Sequence, residues 1–152
     1  MLERDQAYRT QWILSRQLHH EETQRDIALR LRADSIDSLN QVEIRQILKE
    51  HGFPKKTEVG TSACEAAWII IQHAPVDVQK EYLPMLERAA TEGNIQAALV
   101  AALHDRIDVR EGHPQKYGTQ RNSNGLCPLL NEKMVNQWRK EVGLPPLDES
   151  AK

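Results

Sequence analysis

The feature that most constrains the fold is a series of apolar segments with helical spacing, each closed by a glycine or a proline. The most apolar one, Ala66-Ala67-Trp68-Ile69-Ile70-Ile71, follows the capping-box pattern Ser62-x-x-Glu65 and is closed by Pro75. We predict that residues 63–73 form the central, buried helix. Glycine readily adopts the left-handed backbone conformation that commonly ends a helix. Similar stops occur at Gly52, Pro54, Gly93, Gly112 and Gly143.

Further helices are predicted on both sides of this central one. A long charged helix with a thin apolar stripe is expected over residues 3–32, and a second begins at an N-cap on Asp37 or Ser38 and runs to residue 50. Asp77 is expected to cap a helix towards residue 92, which Pro84 either kinks or divides in two. Asn94 and Asn131 are expected to cap the last two, over residues 95–109 and up to 142.

The predicted fold is therefore mainly α, a single-domain bundle of about six helices with a long polar loop and minor or no β structure. We divide the chain into a charged N-terminal helix at 1–33, a helical core domain at 34–147 and a tail at 148–152. A chain of 152 residues is long enough for one such core.

Charge and composition exclude several classes of function. The formal net charge is -2, whereas nucleic-acid-binding proteins usually carry a basic face. The longest apolar run is too short to span a bilayer, and the first residues lack the apolar region of a signal peptide. Cys64 and Cys127 have no zinc-binding spacing and are interpreted as reduced thiols. We expect a cytoplasmic protein with neither a nucleic-acid nor a membrane partner.

The loop after the predicted 95–109 helix is the first candidate site. Residues 112–120 read Gly-His-Pro-Gln-Lys-Tyr-Gly-Thr-Gln, which concentrates side chains that form directed hydrogen bonds. The segment contains no phosphate-binding glycine motif and no nucleophile elbow. It is either a ligand-binding loop or a structural loop whose glutamines bond to the backbone.

Two helix ends supply further candidates. Gln72 and His73 end the central helix, where burial and the helix dipole would shift the titration of a histidine. Asp105 and Arg106 lie near the end of the 95–109 helix, either as a structural pair or as an arginine fork for a carboxylate or phosphate. The spacing of His73 and His104-Asp105 is similar to the His…His-Asp arrangement of HD-type metal-dependent phosphohydrolases. Because the last helix lacks the further aspartate of that pattern, we predict no metal site.

These segments together resemble a bacterial family of domains of unknown function. Its members share a pattern QHA … DR … GxxQxYGTQ … GL, which matches Gln72-His73-Ala74, Asp105-Arg106, the loop from Gly112 to Gln120 and Gly143-Leu144. The resemblance covers about residues 34–147, and Tyr117-Gly118-Thr119-Gln120 is its most specific part. It implies a mostly helical domain with a polar pocket built from the matching residues, and it supplies no reaction.

Two hypotheses follow. In the first, a pocket binds a small polar or anionic ligand and the protein is a hydrolase or transferase. His73 is then the general acid or base, Asp105 orients it, and the ligand is bound by Gln72, Arg106, Gln115, Tyr117, Thr119 and Gln120. In the second, the protein is a non-catalytic binding or protein-interaction module with a structural polar cluster, and the first helix forms a homodimer or binds a partner. The sequence does not decide whether the chain is an enzyme, and it identifies no cofactor.

Overall fold

The computed structural model describes Tyr8, residues 10–15 and residues 23–147, and the chain is mainly helical. Tyr8 and residues 10–15 are helical. They are followed by α1 (Gln24–His51), α2 (Lys56–Val59), α3 (Thr61–His73), α4 (Val76–Thr91), α5 (Ala97–Arg110) and α6 (Val135–Glu141). A small antiparallel hairpin of β1 (Arg121–Asn122) and β2 (Gly125–Leu126) precedes α6. The predicted fold class is confirmed.

Helix α1 differs from the prediction at both of its expected boundaries. Thr23 caps it in an extended conformation, and the Thr23 hydroxyl and Asp26 carboxylate form a reciprocal capping box. The single helix predicted over 3–32 is therefore interrupted at Thr23; residues 3–7, 9 and 16–22 of that prediction lie outside the described residues. An N-cap at Asp37 or Ser38 was also wrong, because α1 continues through both. The boundary expected between residues 33 and 34 falls inside this helix.

Helix α3 is the buried centre of the fold, as predicted. Its inward side chains include Trp68, Ile70 and Ile71, and it packs against α1, α2 and α4. The indole nitrogen of Trp68 donates to the carbonyl of Leu99 on α5 at 3.1 Å, so the largest core side chain also has its polar atom satisfied. The core is one cluster that extends from α1 through α3 and α4 to α5.

The predicted side-chain caps of the later helices were mostly wrong. Helices α3 and α4 begin after Gly60 and Pro75 with no side-chain cap, so neither Ser62 nor Asp77 has that role. Asn94 instead accepts a hydrogen bond from the Lys56 backbone at 3.1 Å, which ties α2 to the start of α5. Asn131 accepts from the amides of Lys133 and Met134 in the turn before α6, but α6 itself begins after Met134 with no side-chain cap. Pro84 lies within a single continuous α4.

The remaining features are the long polar segment and the chain ends. Residues 113–130 are mostly irregular and carry the hairpin, with Arg121 paired to Leu126 and Asn122 to Gly125. The predicted tail at 148–152 lies outside the described residues. Both cysteines are buried as free thiols, which confirms that prediction. Within the described ranges, no helix is both long and apolar enough to cross a membrane.

Candidate functional site

Asp105 is the centre of the polar cluster. It lies on the inward face of α5 and is 0% exposed. Its Oδ1 accepts from the backbone amides of Lys116 (2.9 Å) and Tyr117 (2.8 Å). Its Oδ2 accepts from the amide and the hydroxyl of Thr119, each at 2.9 Å. A carboxylate has about four acceptor positions, so this set of bonds occupies Asp105 fully.

Arg139 binds the opposite side of the same loop. This α6 residue is 8% exposed, and its Nη1 donates to the carbonyls of Tyr117 (2.6 Å) and Gly118 (3.4 Å). Its Nε donates to the carbonyl of Pro145 at 2.6 Å. Burial lowers the pKa of the Arg139 guanidinium, and the negative charge of Asp105 opposes that shift. The loop backbone thus lies between a buried anion that accepts from its N–H groups and a buried cation that donates to its carbonyls.

Gln115 organises the rest of the loop from within. It is 0% exposed, and its Oε1 accepts from the Gln120 amide at 2.8 Å. Its Nε2 donates to the carbonyls of Gln120 and Cys127, both at 2.9 Å. Its own amide and carbonyl bond to Pro128 and Leu130, which forms an isolated bridge between residues 115 and 129. The Gln115 side chain therefore bonds to Gln120 and Cys127, the residues on either side of the hairpin.

Thr119 and Gln120 attach the loop to α5. The half-buried Gln120 donates through Nε2 to the Thr119 hydroxyl at 3.0 Å and to the Ala102 carbonyl at 3.3 Å. The Thr119 hydroxyl in turn donates a hydrogen bond to Asp105. The structure thus brings together four of the predicted site residues, Asp105, Gln115, Thr119 and Gln120, through bonds within the fold.

Tyr117 contributes its backbone to this network and its side chain to the surface. The ring lines a groove of about 280 Å³ beside His104, and His104 Nε2 lies 2.8 Å from Glu87 Oε1. The ammonium of Lys116 lies 5.1 Å from the Tyr117 ring centroid and 5.4 Å from that of Trp138. The Lys116 ammonium therefore makes cation–π contacts with both rings.

The remaining predicted residues are Gln72, His73 and Arg106. Gln72 and His73, both half-buried, end α3, and the carbonyls there are bound by other side chains. Gln79 Nε2 donates to the carbonyls of Gln72 (2.6 Å) and Ala74 (3.1 Å), and Arg110 Nη1 donates to that of Ala74 at 3.1 Å. Arg106 is half-buried and follows Asp105 on α5. In residues 8, 10–15 and 23–147, no group of three or more His, Cys, Asp or Glu side chains is arranged to hold a metal ion.

Sequence reasoning missed two residues of the polar framework, Arg139 and Gln79. A signal for Arg139 was present, because it lies four residues after Val135 on the face that the sequence places inward. An arginine at such a position needs buried acceptors, which the loop carbonyls supply. Gln79 also had a signal, because it lies three residues before Tyr82 and seven before Leu86 on the inward face of α4.

The comparisons with known proteins give a family. The model of a family of unknown function, DUF6624, matches residues 1–152, so the similarity extends beyond the 34–147 range of the resemblance. No curated protein and no solved structure matches the chain. The chain belongs to the DUF6624 family.

Proposed function

We propose that this member of the DUF6624 family is a non-catalytic interaction module that self-associates through α1. The observation that carries the non-catalytic part is the saturation of Asp105, which accepts four hydrogen bonds and is 0% exposed. A carboxylate in that state has no acceptor position left with which to orient a histidine or bind a substrate. The two buried free thiols fit the reducing cytoplasm that we propose for the protein.

The interaction surface in this proposal is the outer face of α1. Leu31, Leu39 and Val42 are 57%, 61% and 71% exposed, on the side of the helix away from Leu29, Ala33 and Ile44 in the core. Between them, the hydroxyls of Ser35 and Ser38 donate back to the carbonyls of Leu31 (2.9 Å) and Asp34 (3.0 Å). These serines therefore present no spare donor, and the strip from residue 31 to 42 is neutral over about 17 Å.

The spacing of this strip favours a second copy as its partner. Leu31, Ser35, Ser38 and Val42 are separated by four, three and four residues, so the order of large and small side chains is the same in both directions. An antiparallel copy would place Leu31 against Val42 and serine against serine, which is the self-complementary contact of a twofold dimer. At the edge of the strip, Arg32, whose guanidinium carbon also lies 5.6 Å from the centroid of the Tyr8 ring, has a charge opposite to that of Glu43 on the second copy.

Sedimentation velocity over a range of protein concentrations tests the proposal. We expect a dimer for the parent and a monomer for the L31E/V42E double variant. L130E is the matched control, because Leu130 is 57% exposed on another part of the surface, and it should remain dimeric. R32E should weaken the dimer and R32E/E43R should restore it.

Two results would contradict the proposal. One is a parent chain that stays monomeric at every concentration. The other is a loss of the dimer in L130E equal to that in L31E/V42E. Circular dichroism on each variant ensures that a change in association is not a change in folding.

A further inference from the structure

A second surface, between α1 and α4, has the properties of a small-molecule site and is separate from the strip discussed above. The two helices leave a groove of about 710 Å³. Arg45 and Lys49 lie one turn apart on its α1 side, and Met85 and Arg88 lie on its α4 side. Ligand sites in proteins typically have volumes of about 300–1,000 Å³. The groove is therefore large enough for a metabolite-sized molecule.

The charges in the groove do not balance. Arg45 contacts Glu81 across the groove at 3.3 Å, which neutralises one acid. The other acid, Glu50, accepts from Gln46 at 3.1 Å and lies 3.7 Å from His51, both on its own helix. Lys49 and Arg88 are exposed and have no acidic partner within the part of the chain that the structure describes. The lining therefore carries three cations and two carboxylates, and Lys49 and Arg88, one from each helix, form no ion pair within the described residues.

The floor of the groove is apolar and carries one polar group. Leu48 and Tyr82 are buried at 2% and 8% exposure, and Pro84 and Met85 extend the apolar wall. Burial, and secondarily Glu81, raises the pKa of the Tyr82 hydroxyl, while Arg45 lowers it. The hydroxyl therefore stays protonated at neutral pH and is available as a donor. Apolar walls beside two cations that form no ion pair suit an organic body joined to an anionic group.

We propose that the α1–α4 groove binds a small phosphate monoester with an apolar or aromatic body. Lys49 and Arg88 would hold the phosphate from opposite sides, and Tyr82 and Met85 would contact the organic body. A phosphate monoester carries about 1.5–2 negative charges at neutral pH and has three acceptor oxygens, so it can accept charge-assisted hydrogen bonds from both cations at once. This site is independent of the proposed self-association and involves none of the residues of the 112–120 loop.

Isothermal titration with phenyl phosphate tests the proposal, with inorganic phosphate and phenol as the two halves of the probe. Phenyl phosphate should bind the parent more tightly than either half. Because each cation contributes a charge-assisted contact, K49Q and R88Q should each weaken binding by about tenfold. K133Q is the matched control, since Lys133 is an exposed lysine near α6, and it should bind as the parent does.

The location of binding is measured by NMR on the methionine methyl groups. The chain has three methionines, and Met85 lies in the groove whereas Met134 lies beside α6. Phenyl phosphate should shift the Met85 signal and leave the Met134 signal in place. No binding, equal affinity for inorganic phosphate, or an unchanged affinity in both K49Q and R88Q would each overturn the proposal. Parent-like circular dichroism of these exposed-site variants excludes misfolding.

Discussion

At the scale of single residues, the polar cluster depends on two buried and opposite charges. Asp105 accepts from the amides of residues 116, 117 and 119, while Arg139 donates to the carbonyls of residues 117 and 118. Each peptide unit there has its N–H directed to the anion or its carbonyl directed to the cation. Burying either charge alone would be unfavourable, and the loop backbone compensates both. The most specific part of the sequence motif is thus explained by backbone geometry.

Replacing Asp105 with asparagine should strongly destabilise the protein. The asparagine NH2 group would face the Thr119 amide, so two donors would meet in a buried place. We expect a loss of about 3 kcal/mol in the free energy of unfolding, measured by urea denaturation. Asp34→Asn, at an exposed site on α1, is the control and should stay within about 0.5 kcal/mol of the parent. Equal stability of both variants would show that Asp105 is not an anchor.

At the scale of elements, the 112–120 loop is fixed by its neighbours on two sides. The hairpin and Gln115 hold it from one side, and the segment after α6 holds it from the other. Gly118 is at the contact between them, with a backbone φ of +67°. A Cβ atom at this position would lie 2.5 Å from Leu147 Cδ1 and 3.1 Å from Leu129 Cδ2. The positive φ therefore favours glycine, and any Cβ atom would force the Leu147 side chain to shift.

Gly118→Ala and Gly112→Ala separate these two effects. Gly112 has a similar φ of +80°, but a Cβ there meets nothing within 4 Å. Gly112→Ala should lose about 1 kcal/mol of unfolding free energy through the backbone alone. Gly118→Ala should lose about 2–3 kcal/mol, because Leu147 must also move. Thermal or urea unfolding measures both, and equal losses would contradict the close packing of Gly118 against Leu147.

The elements also show where sequence reasoning succeeds. The apolar periodicity and the stops at Gly52 and Gly112 predicted the helices and the central position of α3, because burial of apolar surface dominates those choices. The capping predictions failed where a polar residue had a better partner elsewhere. Asn94, for example, accepts a hydrogen bond from the Lys56 backbone. The two residues are 38 positions apart, so local sequence spacing does not predict this contact.

At the scale of the whole molecule, the sequence predicted which residues form the polar cluster. It did not predict that their hydrogen bonds are made within the fold. It grouped Asp105 with Gln115, Thr119 and Gln120, and the structure joins these residues in one hydrogen-bond network. It could not decide between a pocket and a buried framework, since the same side chains serve either purpose. The choice between a pocket and a buried framework depends on how deeply these side chains are buried. It also depends on Arg139 of α6, which donates to the loop carbonyls.

We infer that the 112–120 loop is a rigid part of the framework and not a mobile ligand-binding loop. Native-state amide hydrogen exchange measured by NMR tests this claim most directly. The amides of Lys116, Tyr117 and Thr119, bound to Asp105, and of Gln120, bound to Gln115, should open only with a free energy close to that of global unfolding. Ser123, at the exposed hairpin turn, is the internal reference for fast exchange.

The Asp105→Asn variant sharpens the measurement. Relative to the global stability of the variant, the Thr119 amide should lose protection because the new NH2 group faces it, while the Gln120 amide should retain protection because Gln115 still accepts its hydrogen bond. If the loop is rigid, all four loop amides exchange slowly in the parent, and the variant shows this selective loss of protection. Exchange of the four parent amides at the rate of Ser123 would contradict it.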